Sequence, residues 1–85
     1  MEKEQSCTLY FKEGSSDKEY FASLQKEGSG WVVNFKYGRR GNAGNAGSKT
    51  SSPVSYESAL HVYDKLVASK VAKGYVEDAS GKPFP

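Results

Sequence analysis

Arg39 and Arg40 stand side by side after Tyr37-Gly38, at the start of a run, residues 38–47, in which glycine recurs at every third position. A guanidinium presents a rigid fork of N–H donors that fits a phosphate or carboxylate through two bonds. An aromatic ring beside it adds a flat face, and glycine lets another molecule approach the backbone closely. Lys36 and Lys49 flank the run and Asn42 lies within it; Lys70 and Lys73 join the group only if the end of the helix that carries them falls on the same side. Residues of these types grip an anion, above all a sugar-phosphate chain. Two alternatives stay open: Arg39 paired with Glu13 or Glu19 across the sheet, and Tyr37 serving as a packing residue.

Charge is distributed unevenly along the 85 residues. Residues 1–27 hold six acids and four bases, residues 28–56 hold four bases and no acid, and residues 57–85 hold four of each. The net charge of +2 therefore hides a positive middle third, which sets up a local potential that distant, screened carboxylates cancel only in part. The glycine run is not a phosphate-cradling loop, because it contains neither GxGxxG nor a Gly-Lys-Ser/Thr opening a helix.

Other chemistry is largely excluded. Cys7 is the single cysteine and His61 the single histidine, so an intrachain disulfide, a Cys/His zinc site and a histidine-based triad are not expected, and neither is a cofactor. No two carboxylates are spaced as an acid/base pair, and a chain this short leaves little room for a deep catalytic cavity. The protein is expected to be non-enzymatic. Without a long apolar run or a leader-like start, it is expected to have no membrane partner and to be cytoplasmic. Cys7 then packs as a small hydrophobe.

Three strands follow from alternation at period two: residues 6–12, with Cys7, Leu9 and Phe11 on one face; residues 18–26, with Tyr20, Ala22 and Leu24; and residues 31–39, with Trp31, Val33, Phe35 and Tyr37. Gly14-Ser15-Ser16-Asp17 and Glu27-Gly28-Ser29-Gly30 supply the turns between them. Residues 48–54 read as a polar fourth strand on an edge, where Pro53 does little harm. Ser55 is the expected N-cap of a helix in which Tyr56, Ala59, Leu60, Tyr63, Leu66, Val67 and Val71 recur at helical spacing, ending at Gly74 in a left-handed conformation. A short strand from Val76 is the possible fifth, followed by a fraying tail over residues 79–85. The expected fold is α+β: a twisted antiparallel sheet of four to five strands with one amphipathic helix packed on one face, forming a single domain over residues 1–85 with its core at about 6–78. Trp31 is expected in that core, and His61 is expected to be exposed.

The run Trp31-Val32-Val33-Asn34-Phe35-Lys36-Tyr37-Gly38-Arg39-Arg40-Gly41, the glycine-rich stretch after it, and Ala59, Tyr63, Leu66, Lys70 and Lys73-Gly74-Tyr75 together resemble a WGR domain. The likeness spans residues 9–78. The family takes its name from a Trp-Gly-Arg triplet ending a strand, and this chain carries Tyr37 in place of the tryptophan, keeping an aromatic ring without the indole.

The resemblance implies a twisted antiparallel sheet with one crossing helix. In DNA-dependent poly(ADP-ribose) polymerases such a domain sits beside the catalytic region, binds near a DNA end and relays the signal through domain contacts. By position, Tyr37 is then expected to pack on a nucleotide sugar or a neighbouring side chain, and Arg39 to meet a phosphate or a partner's carboxylate. No ADP-ribosyl transfer is implied. The expected function is a nucleic-acid-binding module, with DNA favoured over RNA, whose candidate contacts are Lys36, Tyr37, Arg39, Arg40, Asn42, Lys49, Lys70 and Lys73. The alternative is a protein-interaction module acting with a separately encoded partner. The sequence does not fix the oligomeric state.

Overall fold

The computed structural model describes residues 2–39 and 44–77, the side chains of Glu13 and Ser16 excepted. It contains strands β1 (Gln5–Glu13), β2 (Ser16–Glu27), β3 (Gly30–Arg39) and β4 (Asn45–Ser48), then helix α1 (Tyr56–Ala72). The sheet has the order β1-β2-β3-β4, every neighbouring pair antiparallel. The fold is thus α+β with four strands and one helix.

Register decides which side chains share a face. Cys7 lies opposite Ala22, Leu9 opposite Tyr20, Leu24 opposite Val33, and Tyr20 opposite Tyr37, so one continuous set of apolar residues runs across three strands. Leu9, Tyr20, Ala22, Leu24, Trp31 and Val33 from that set form the buried core together with Ala59, Tyr63 and Leu66 of α1. Leu9, Leu24 and Val33 are wholly enclosed. Cys7 packs against this core half-buried, as the sequence suggests, and His61 is exposed.

The helix begins where Ser55, with extended backbone, accepts a bond from the Ser58 amide at 3.2 Å, and Glu57 stands in its first turn, where a carboxylate favours the macrodipole. It ends as expected. Lys73 is the C-cap, Gly74 has φ +105°, and the amides of Gly74 and Tyr75 bond back to the carbonyls of Val71 and Lys70. Val71, however, is 54% exposed and outside the core, because the buried helix stripe runs through Ala59, Tyr63 and Leu66.

Two strand expectations need correcting. The fourth strand is Asn45–Ser48, inside the glycine-rich run, and not residues 48–54. Asn45 to Ser48 align with Tyr37 to Asn34 across the hairpin, and there Gly47 leaves room for Phe35: a Cβ on Gly47 would stand 2.7 Å from the ring. Past Ser48 the ladder thins: the Lys49 amide still donates to the Val33 carbonyl at 2.8 Å, Thr50 Oγ1 accepts from the Val33 amide at 3.3 Å, and Ser48 Oγ lies within hydrogen-bond reach of the Val33 and Thr50 carbonyls, ahead of the Trp31–Val54 bridge. The fifth strand is reduced, among the described residues, to a single antiparallel bridge between Tyr10 and Val76. The expected tail, residues 79–85, lies outside the described residues.

Candidate nucleic-acid interface

Beyond the core, the same face of the sheet continues into an open groove of ≈ 610 Å³ lined by Lys18, Tyr20, Phe35, Tyr37, Gly38, Arg39, Lys49, Lys70 and Tyr75. Four of these nine carry positive charge and none carries negative charge. The groove forms because α1 ends here: its last turn brings Lys70 over the sheet, and the turn at Gly74 returns Tyr75 to it. A Cβ on Gly74 would stand 3.1 Å from Phe11, so glycine serves both the reversal and the close packing.

Aromatic rings make the floor and one wall. Tyr20 stacks with Tyr37 at 5.8 Å between centroids and with Phe35 at 5.9 Å, the planes inclined by only 14° and 12°. Phe35 and Tyr37 are 5.9 Å apart at 26°. Tyr75 meets Tyr20 edge-on, at 74°, and packs on Phe11 at 5.4 Å. The rings differ in access. Tyr20 is 4% exposed, whereas Tyr37 is 43% exposed, because it lies two residues past Phe35 toward the end of β3, away from the core.

The cations surround this surface. The Lys70 Nζ sits 4.6 Å from the centre of the Tyr20 ring and the Lys49 Nζ 5.3 Å from that of Phe35, within cation–π range. Desolvation, reinforced by the neighbouring charges of Lys73 and Lys49, holds the Lys70 ammonium below the ordinary lysine value. Burial, with Tyr37 and Tyr75 nearby, pushes the Tyr20 phenol up.

Arg39 is exposed and its Nη1 donates to the carbonyl oxygen of Ser15 at 3.2 Å. That acceptor is a neutral carbonyl and not a carboxylate. Glu19 is aligned with Gly38, and so belongs to the opposite face from Arg39, which is aligned with Lys18. The ion pair with Glu19 is therefore ruled out by strand parity, while the Glu13 side chain lies outside the described residues.

The expected site residues divide accordingly. Tyr37, Arg39, Lys49 and Lys70 come together in the groove. Lys36 does not: it is aligned with Phe21 and Ala46 on the other face of the sheet. Lys73, the exposed C-cap, acts on the groove through the charge it places near Lys70 without lining it. Arg40 and Asn42 lie outside the described residues. Sequence reasoning missed Lys18, Tyr20, Phe35 and Tyr75 as residues of the groove. The signal for Lys18 was present, since it continues the alternation of Tyr20, Ala22 and Leu24, but its use requires knowing that it pairs with Arg39.

Among the described residues no cluster of three His, Cys, Asp or Glu side chains is placed to hold a metal ion, and no helix is long and apolar enough to cross a membrane. The sheet, its order and the Tyr-Gly-Arg end of β3 define a small α+β domain. The chain matches the family model of the WGR domain over residues 5–82, nearly its whole length, and it belongs to that family. A search of curated proteins and one of solved structures found no match.

Proposed function

We propose that this WGR domain is a non-enzymatic nucleic-acid-binding module that grips the sugar-phosphate backbone in the groove at the end of β3. The helix lies over one face of the sheet, and the groove is the part of that face its last turn leaves open. One observation carries the reading: four cations, Lys18, Arg39, Lys49 and Lys70, surround an aromatic floor, with no carboxylate among the described lining residues. Each cation that meets a phosphate releases counterions, while the rings offer faces to sugar or base without reading sequence. WGR domains serve as nucleic-acid-binding modules in poly(ADP-ribose) polymerase-like proteins, which favours DNA over RNA.

A protein partner is the second reading, and Phe21 is what favours it: it is 39% exposed on the other face of the sheet. Its cross-strand neighbours there, Thr8 and Lys36, are polar, so it does not form a continuous apolar patch of the kind that marks protein interfaces.

Fluorescence anisotropy with single-stranded, blunt and 5′-phosphorylated DNA over a salt series tests the choice. Four phosphate contacts give a slope of about −3 in log affinity against log salt for a single strand. Arg39→Ala is expected to weaken binding uniformly across sequences and to make that slope shallower by about 0.7. Phe21→Ser is expected to leave binding unchanged. No binding at low salt by the folded protein, or a salt slope near zero, would refute the nucleic-acid reading.

A further inference from the structure

We infer that the flank of α1 beside β1 docks a protein: an extended segment of a partner, with lysine or arginine next to aliphatic side chains, added as a strand to the outer edge of β1. The inference is independent of the nucleic-acid reading, and it places the partner on a different surface from Phe21.

A second groove, of ≈ 660 Å³, lies between β1 and the helix. Gln5, Ser6 and Cys7 form its strand side, and Val67 and Val71, about one turn apart, form its helix side. Ala68 and Ala72 beside them are small and leave space. Val71 is 54% exposed, the most open of the large hydrophobic side chains described. With Cys7 and Val67 it gives the groove an apolar strip that the sheet does not cover.

The strand edge supplies backbone partners. β1 is an end strand of the sheet, and Tyr10 exchanges two bonds with Val76 across its outer edge, at 2.6 and 2.9 Å. Antiparallel alternation turns the amides and carbonyls of Ser6 and Thr8 to that same edge, and among the described residues nothing bonds them there. Such a row of open donors and acceptors is a template for one more strand.

Charge selects the partner. Asp64 and Glu77 line this groove, and no cation is among the described lining residues. Both act on its floor: burial first, then a hydrogen bond with Cys7 and the charges of Asp64 and Glu77, push the Tyr63 phenol up. The groove at the end of β3 has the reverse sign, and no residue lines both. Phosphate is therefore repelled here and a cationic chain attracted. Alternate side chains of an extended segment fall on one face, so aliphatic groups can cover Val67 and Val71 while cations beside them meet the carboxylates.

The probe is an end-blocked, fluorescent peptide, Lys-Thr-Val-Thr-Val-Thr-Lys, one face of which reads Lys-Val-Val-Lys; its counterpart carries glutamate for lysine. Anisotropy with the full chain is expected to show binding of the lysine peptide and none of the glutamate peptide. Asp64→Asn should weaken it about fivefold, the upper range for an exposed ion pair, and Val71→Ser by a similar factor through lost apolar contact. Both side chains are exposed, so circular dichroism should show folded variants, and their DNA binding should be unchanged. Bound peptide should also slow hydrogen exchange at the Ser6 and Thr8 amides, which a loose electrostatic contact does not do. No binding, equal binding of the two peptides, indifference to both substitutions, or unprotected Ser6 and Thr8 amides would overturn the inference. So would binding that appears only after Lys82→Glu with Phe84→Ser, because the groove then belongs to residues 78–85 of the chain itself.

Discussion

The two ends of β3 show what one strand face becomes under different cover. Trp31 and Tyr37 lie on the same face of the same strand, six positions apart. Trp31 is 5% exposed, meets Tyr56 of the helix edge-on at 4.9 Å, and donates from Nε1 to Glu2 at 3.2 Å. Among the described residues Tyr37 stacks only on rings of the sheet, and it keeps nearly half its surface in solvent. Tyr56 at the start of the helix covers Trp31, whereas among the described residues Tyr37 has no ring of the helix on it, so identical alternation yields core at Trp31 and a half-exposed ring at Tyr37. An aromatic ring's role is therefore set by what covers it.

Substitution separates the two ends. Trp31→Ala is expected to cost about 3–5 kcal/mol of stability, measured by denaturant unfolding, because a large buried ring leaves a cavity that its neighbours fill only in part. Tyr37→Ala removes cross-strand ring contacts worth about 0.2–1 kcal/mol, and its larger effect is expected on the proposed nucleic-acid binding. A similar stability loss at both positions would break the contrast. Ser55→Ala takes the cap from the helix end nearest Trp31 and should cost about 1 kcal/mol, with affinity for DNA unchanged.

Titration gives the smallest and most selective effect. Burial raises the phenols of Tyr20 and Tyr63 above the ordinary value of 10.0, and a hydrogen bond with Cys7 adds to the effect at Tyr63. Both are neutral in either state below pH 10, so they add no pH dependence there. Above it the unfolded chain loses these protons first, and stability falls as pH rises. Lys70 works the other way: its lowered value means the unfolded chain keeps that proton longer up to 10.5, so stability gains with pH in that window. Tyr63→Phe should flatten the alkaline decline measured by thermal melting across pH 9 to 11, because a phenylalanine cannot ionise.

Much of the architecture was legible because alternation and capping are local. Cys7, Leu9, Tyr20, Ala22, Leu24, Trp31 and Val33 declare their face by period two, and Ser55 and Gly74 mark the helix ends. The position of β4 was not legible, since Asn45–Ser48 holds no side-chain pattern; pairing there is a matter of backbone and of the space Gly47 leaves for Phe35. The site was half legible. Tyr37, Arg39, Lys49 and Lys70 were found by type, while Lys36 was grouped with them by closeness in sequence although strand parity sends it to the other face. Lys18 and Tyr75 needed register and the helix's return, which no local pattern supplies.

Because Lys18, Arg39 and Lys70 belong to different elements of the chain, the proposed anchoring points exist together only while sheet and helix are docked. A peptide cut from the β3 hairpin would keep its arginine and lose its hold. An occupant also acts as a clasp between the layers, so saturating concentrations of it must raise the melting temperature of the whole domain.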